Sequence, residues 1–252
     1  MNANKCPFPH RAIVPLAAAA GVLALLWYRR ATDTRSLARR GSPRRAQQQR
    51  AFWKDAQARM VATSALLSPS GSKLRWWCLN DGIMGGKSRS EVTATDGGGL
   101  AFSGVVSTDG GGFVSCRGGK LAPGELLPYD AIAVTTSGGA AQTVRLRLDT
   151  VAARESRGTG VPSASWSASF VCPVERTTTV LLLADFVPTW RGRPLSRDLA
   201  GSLSESAVLS GVETVGLMLS YVRGPNRARF GDGEHAFRLQ LDELKWVSRN
   251  SK

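Results

Sequence analysis

From about Lys73 onwards, apolar and polar residues alternate in short runs along the chain. Val144, Leu146 and Leu148 alternate with two arginines, so the aliphatic side chains share one face of a predicted strand. The same alternation occurs at 165–170 and at 238–242. The pattern predicts these strands: Leu74–Leu79, Ser88–Ala94, Leu100–Val106, Phe113–Arg117, Ala131–Thr136, Val144–Asp149, Ser165–Val171, Thr177–Leu183, Val212–Leu219 and Ala236–Trp246.

Glycine-rich segments such as Asp96–Gly99 and Asp109–Gly112 separate the predicted strands. Glycine and aspartate favour turns because they tolerate positive φ. Many short strands joined by such turns, without strand–helix–strand alternation, are typical of an all-β domain. We therefore predict an antiparallel β-sandwich (jelly roll) over residues 73–248.

One glycine-rich segment, Gly82–Ser88, ends in Gly-Lys-Ser like a phosphate-binding P-loop. The P-loop motif requires another glycine five residues before Gly86, and Asp81 stands there. A β pattern follows the segment, where a P-loop would open a helix. These two differences exclude a P-loop.

The first 45 residues predict a membrane anchor or a targeting segment followed by a basic linker. Residues 12–28 are 17 uncharged, mostly apolar residues, which span roughly 26 Å as a helix, and Arg29 and Arg30 follow them. We expect a single anchor with its basic flank on the positive-inside face. A mitochondrial presequence is the alternative, since this region is rich in arginine and poor in acids. A cleaved secretory signal fits less well, because the apolar run ends in Trp-Tyr-Arg-Arg.

Residues 46–72 predict a helical connector between the leader and the domain. Phe52, Ala56, Met60 and Leu66 recur at about helical spacing. Ser42-Pro43 is a suitable helix start. We expect this helix to pack on the domain, with partner binding as the alternative.

The positive charge is concentrated in the leader. Residues 1–75 contain 14 Lys/Arg and two acids, and the remaining residues contain 19 Lys/Arg and 17 acids, within a chain of net charge +14. A nucleic-acid-binding domain carries its basic patch on the folded part. The nearly neutral domain therefore argues against nucleic-acid binding.

The sequence contains no recognisable catalytic or metal-binding motif. The four cysteines include no Cys-x-x-Cys pair, which argues against a zinc site. His235 is the one histidine of the domain, and no nucleophile elbow or Cys–His pairing accompanies it. We expect a protein that is not an enzyme and has no cofactor and no metal.

The most distinctive stretch runs from Trp77 through Asn80-Asp81-Gly82-Ile83-Met84-Gly85-Gly86-Lys87-Ser88. It is followed by Gly111-Gly112-Phe113-Val114-Ser115-Cys116-Arg117, and later by Asp185-Phe186-Val187-Pro188-Thr189-Trp190-Arg191-Gly192. Taken in this order, the three segments resemble the respiratory complex I (NADH:ubiquinone oxidoreductase) intermediate-associated protein family. The resemblance covers about Leu74 to Trp246.

The resemblance implies a galactose-binding-like β-sandwich and a role in assembling respiratory complex I. The implied partners are protein subunits of complex I or its assembly intermediates; the apolar run of the leader separately predicts contact with a membrane. The implied location is the mitochondrion at its inner membrane, with a plastid or another membrane as the alternative. A carbohydrate- or small-ligand-binding sandwich, or an assembly factor for a photosynthetic complex, is the alternative function.

The same motifs supply the candidate partner-binding or motif residues. They are Asn80, Asp81, Met84, Gly85, Gly86, Ser88, Gly112, Phe113, Ser115, Arg117, Asp185, Phe186, Trp190 and Arg191. Asp81 and Arg117 are expected to form a structural turn and ion pair rather than a ligand contact. Met84, Phe113 and Phe186 are expected in the core, and Trp190 and Arg191 in a loop that contacts a partner or packs.

Overall fold

The computed structural model describes residues 61–151, 164–190, 193–196, 200, 203–222 and 224–248. The predicted anchor at 12–28, the helix start at Ser42-Pro43 and Arg191 lie outside these residues. No helix within the described ranges is long and apolar enough to cross a membrane.

The described chain is an antiparallel β-sandwich, as the sequence predicts. Its larger sheet has the strand order β1-β2-β5-β12-β7-β8-β10-β11, and its smaller sheet has the order β3-β4-β13-β6-β9. The strands are β1 Val61–Leu67, β2 Lys73–Asn80, β3 Arg89–Ala94, β4 Leu100–Ser107, β5 Phe113–Gly119, β6 Ala131–Ser137, β7 Gln142–Thr150, β8 Ser165–Cys172, β9 Thr177–Leu182, β10 Val187–Trp190, β11 Arg193–Pro194, β12 Val212–Ser220 and β13 Glu234–Val247.

Alternation along the strands places the core between the two sheets. Val144, Leu146 and Leu148 of β7 are buried, and so are Trp166 and Phe170 of β8. The two arginines of β7 face the opposite side, which is the outer face of the larger sheet. Each of the ten predicted strands is found, with bounds that agree within two residues.

The predicted helical connector is wrong for Val61–Leu67, which is a strand. β1 pairs with β2, and the Trp246 indole N–H donates a 3.1 Å hydrogen bond to the Leu67 carbonyl. Leu66 is fully buried. The free edge of β2 offers backbone partners that a helix could not use, so pairing overrides the local helical spacing. The helix predicted for residues 46–60 lies outside the described part of the chain.

One further element differs from the sequence prediction, and two short helices lie between the predicted strands. Trp190 ends strand β10 and is not in a loop, because β10 pairs with both β8 and β11. The segment 223–235, which lacks a clear strand pattern, contains helix α2, Pro225–Phe230. Pro225 suits the first turn of this helix because its missing N–H has no intrahelical partner there. A shorter helix, α1, spans Ser206–Leu209.

Candidate functional site

The Asn-Asp-Gly motif forms a tight turn around one buried carboxylate. β2 ends at Asn80, and the 3₁₀ helix Asp81–Met84 follows it. The Asp81 carboxylate is fully buried and accepts backbone N–H bonds from Gly112 at 2.6 Å and Phe113 at 3.2 Å. These bonds fix the start of β5 against the end of β2, across 31 residues of sequence.

Ser88 joins two more strands to this carboxylate. Its backbone N–H lies 3.0 Å from Asp81 Oδ1, and its hydroxyl donates to Oδ2 at 2.7 Å. The same hydroxyl oxygen accepts the backbone N–H of Ser107 at 3.0 Å. Since Ser88 immediately precedes β3 and Ser107 ends β4, one aspartate organises the ends of four strands. We call this group of Asp81, Ser88, Ser107, Gly112 and Phe113 the carboxylate clasp.

Two glycines leave the space that the clasp needs. A Cβ added to Gly86 would lie 2.3–2.7 Å from the Asp81 carboxyl atoms, and one added to Gly111 would lie 2.1 Å from Oδ2. A Cβ added to Gly85 would meet no atom within 4 Å, but the φ of Gly85 is +92°. Gly85 is therefore required for its backbone conformation, whereas Gly86 is required for its missing side chain.

The structure gathers most of the predicted motif residues at or beside the clasp. Asn80 accepts a 2.6 Å hydrogen bond from the Ser90 hydroxyl, and Phe113 is half-buried. Met84 is 63% exposed and Phe113 lies outside the buried core, so the predicted place of both side chains in the core is wrong. Because Asp81 is enclosed by its donors, the clasp orders strands and offers no free carboxylate to a ligand.

Arg117 does not pair with Asp81, contrary to the sequence prediction. Its guanidinium bonds to Asp149 of β7, and Arg147 Nε lies 2.8 Å from the other oxygen of the same carboxylate. Arg117 and Asp149 are both buried, on the outer face of the larger sheet. The predicted pair fails because Asp81 already has four donors and because β5 carries Arg117 away from the turn.

Gly216 allows Arg117 to reach Asp149. β12 separates β5 from β7, and Gly216 is the register partner of both Arg117 and Arg147. A Cβ on Gly216 would lie 2.8 Å from Arg117 Cδ and 2.5 Å from the Cys116 carbonyl oxygen. The side chain of Arg117 therefore crosses the sheet over a glycine. Sequence reasoning missed Asp149, although its place two residues after Arg147 puts both on one face of the predicted strand.

Beside this ion-pair group lies an open pocket of about 430 Å³. We call it the β7–β10 pocket; it is lined by Arg145, Ser167, Ala168, Ser169, Val180, Leu181, Asp185, Val187, Thr189 and Pro194. The predicted residue Asp185 is exposed and lines this pocket, at the end of the 3₁₀ turn Leu183–Asp185. Phe186 is buried in the core, as predicted, and Trp190 is half-buried.

Ser115 lies between the carboxylate clasp and the ion-pair group, on β5. It is buried, and its hydroxyl donates a 2.7 Å hydrogen bond to the Leu79 carbonyl on β2. This bond reinforces the pairing of the two strands. Ser115 is thus positioned as a structural residue.

The large apolar side chains that the described residues expose are aliphatic or methionine, and none is aromatic. They are Met84, Leu127, Val171, Val174, Val180, Leu182, Val187, Val222 and Val247. Sugar-binding surfaces use exposed aromatic rings, whereas aliphatic patches on a protein surface mark contacts with other proteins.

His235 and Cys116, two residues with reactive side chains, both pack against neighbouring residues. His235 of β13 stacks on Tyr221, with ring centroids 4.9 Å apart. Burial raises the pKa of the Cys116 thiol far above its ordinary value, which keeps it protonated and unreactive. Within the described ranges, no three His, Cys, Asp or Glu residues converge as a metal site would require.

Fold and site together define a class: a β-sandwich protein whose distinctive polar residues order strands and line an open surface pocket. A sequence profile of the family described as complex I intermediate-associated protein 30 (CIA30) matches residues 66–241. The chain belongs to this family. The match spans the carboxylate clasp, the Arg117–Asp149 pair and the β7–β10 pocket, and it supports the resemblance read from the three motifs.

Solved structures with similar folds are carbohydrate-related but distant. The family 11 carbohydrate-binding module of the cellulosomal cellulase Lic26A-Cel5E of Clostridium thermocellum has 16% identity and a TM-score of 0.48, covering 69% of this chain and 87% of that chain. The CsCBM6-3 module of Clostridium stercorarium, solved with cellobiose, has 11% identity and a TM-score of 0.29, covering 68% of this chain and 92% of its own. No curated protein matches the sequence.

Proposed function

We propose that this protein is an assembly factor of mitochondrial respiratory complex I that acts by binding subunits or assembly intermediates. The observation that carries the proposal is the family match over residues 66–241, which covers nearly the whole sandwich. The aliphatic character of the exposed apolar side chains supports binding to a protein. We further propose that residues 12–28 attach the protein to the inner membrane and that catalysis is no part of its role.

Disruption of the gene in the cells that carry it tests this proposal. We expect the amount of assembled complex I on native gels to fall and partly assembled intermediates to accumulate, while the other respiratory complexes keep their levels. Re-expression of the full chain should restore complex I. A second re-expressed chain that lacks residues 1–45 tests the membrane role, since it should leave the membrane fraction.

Two outcomes would contradict the proposal. Normal complex I in the disrupted cells would refute a role in its assembly. Loss of a photosynthetic complex with unchanged complex I would assign the protein to the plastid alternative.

A further inference from the structure

We propose that the β7–β10 pocket binds a single carboxylate carried by an aliphatic segment of a partner protein, and that Arg145 is the residue that recognises it. This inference rests on the proposed function only in taking the partner to be a protein. It adds the chemistry of the contact and the residue responsible for it.

The first argument is the state of Arg145. Its side chain is half-buried on the outer face of the larger sheet and lines the pocket. No hydrogen bond or ion pair engages its guanidinium within the described residues, whereas neighbouring Arg117 and Arg147 both bond to Asp149. Burial and the adjacent positive charge of Arg147 lower the pKa of Arg145. An anion placed at this guanidinium would offset both effects.

The second argument is the arrangement of polar groups around Arg145. Ser169 is its register partner on β8, and Ser167 is the next residue on the same face. Both serines line the pocket beside Arg145. A guanidinium flanked by hydroxyl donors is suited to a carboxylate, because a carboxylate accepts several hydrogen bonds at once.

The third argument is the apolar rim, which favours a peptide over an acidic sugar. Val180 is 58% exposed and Val187 is 43% exposed, and both line the pocket together with Pro194. Among the described residues that line the pocket, none carries an aromatic ring. Aliphatic side chains on both sides of a carboxylate would bury this rim, whereas a sugar ring would find no aromatic surface to stack on.

Asp185 disfavours a ligand that carries several acidic groups. It lines the same pocket, and within the described residues no ion pair joins it to Arg145. Its exposed charge is screened by solvent, but it would repel a second acid placed nearby. The ligand that fits is therefore one acidic residue between aliphatic neighbours, and not an acidic run.

Fluorescence anisotropy with the full chain, held in detergent micelles, tests this proposal. The probe is a short labelled peptide with one central glutamate flanked on each side by leucine and valine. Its matched partner has glutamine in place of the glutamate. We expect the glutamate peptide to bind at least about tenfold more tightly, since a charged hydrogen-bonded pair contributes about 1.4 kcal/mol or more.

Three variants assign the binding to the pocket. Arg145→Gln should abolish the preference for glutamate. Arg238→Gln should leave it unchanged, because Arg238 is an exposed arginine of β13 in the other sheet. Val187→Asp adds a negative charge at the exposed rim and should weaken the glutamate peptide more than the glutamine peptide. Circular dichroism would show whether Arg145→Gln is folded. If it is not, Val187→Asp alone tests whether the peptide binds in the pocket.

Equal binding of the two peptides, or an unchanged preference in both pocket variants, would overturn the proposal. Tighter, Arg145-dependent binding of an oligogalacturonate than of the peptide would overturn it in favour of an acidic sugar. These failures differ from failure of the proposed function. The peptide assay contains no complex I, whereas the gene disruption reports complex I whatever the pocket binds.

Discussion

At the scale of single residues, the carboxylate clasp depends on two glycines for different reasons. Gly86 faces the Asp81 carboxyl so closely that any Cβ would collide with it. A Cβ added to Gly85 would enter open space, but the φ of this residue is +92°. In this motif, position 86 requires glycine because a side chain would not fit, and position 85 requires glycine because its backbone conformation disfavours other residues.

This difference predicts an order of stabilities among substitutions in the turn. Gly86→Ala should lower the free energy of unfolding by about 2–3 kcal/mol, because it displaces a carboxylate that has four donors. Gly85→Val should cost about 1–2 kcal/mol through its positive φ. Urea unfolding followed by circular dichroism would measure both effects.

The matched control for these substitutions is Gly82→Ala. Gly82 is exposed in the same turn, a Cβ added to it would meet no atom within 4 Å, and its φ is not positive. We expect its substitution to change stability by less than about 0.5 kcal/mol. A Gly86→Ala variant as stable as Gly82→Ala would show that the clasp does not require the missing side chain.

At the scale of elements, the Arg117–Asp149 pair joins β5 to β7 across β12. Arg117→Leu should destabilise the sandwich by about 2–4 kcal/mol, because it leaves a buried aspartate with fewer partners. Arg75→Leu is the matched control, since Arg75 is an exposed arginine of the neighbouring strand β2.

A double-mutant cycle with Asp149→Asn would isolate this interaction. We expect Arg117→Leu to cost much less when Asp149 has already been replaced. Strict additivity of the two substitutions in chemical denaturation would rule out the coupling between the strands.

The strands could be predicted from the sequence, whereas the order in which they pair within each sheet could not. Alternation has a period of two residues and is visible within one strand, so the buried face of β7 follows from residues 144–148 alone. The partner of Arg117 depends on β12, which comes from residues 212–220 and lies between β5 and β7. The same limit hid β1, whose strand conformation depends on pairing with β2. It also hid the β7–β10 pocket, because residues of β7, β8, β9, β10 and β11 line it together with the turn at Asp185.

At the scale of the whole molecule, the strand Val61–Leu67 moves our proposed start of the domain from residue 73 to residue 61. Chains that begin at residue 46 or residue 61 should fold with the same stability. A chain that begins at residue 73 should unfold at a lower urea concentration, because it loses buried Leu66 and the acceptor of the Trp246 N–H.

The three chains can be compared by their urea midpoints and their β-type circular dichroism. The chain that begins at residue 61 is the internal control for truncation itself. Equal midpoints for the chains that begin at 61 and 73 would show that β1 adds no stability. Aggregation of the chain that begins at residue 46 would contradict an independently folding sandwich.

One margin of the larger sheet ends in β11, two residues long, one of which is Pro194. Proline has no N–H to offer an incoming strand, and so short a ladder gives little to extend. Because that margin is short and carries a proline, a strand of another chain finds little there to pair with.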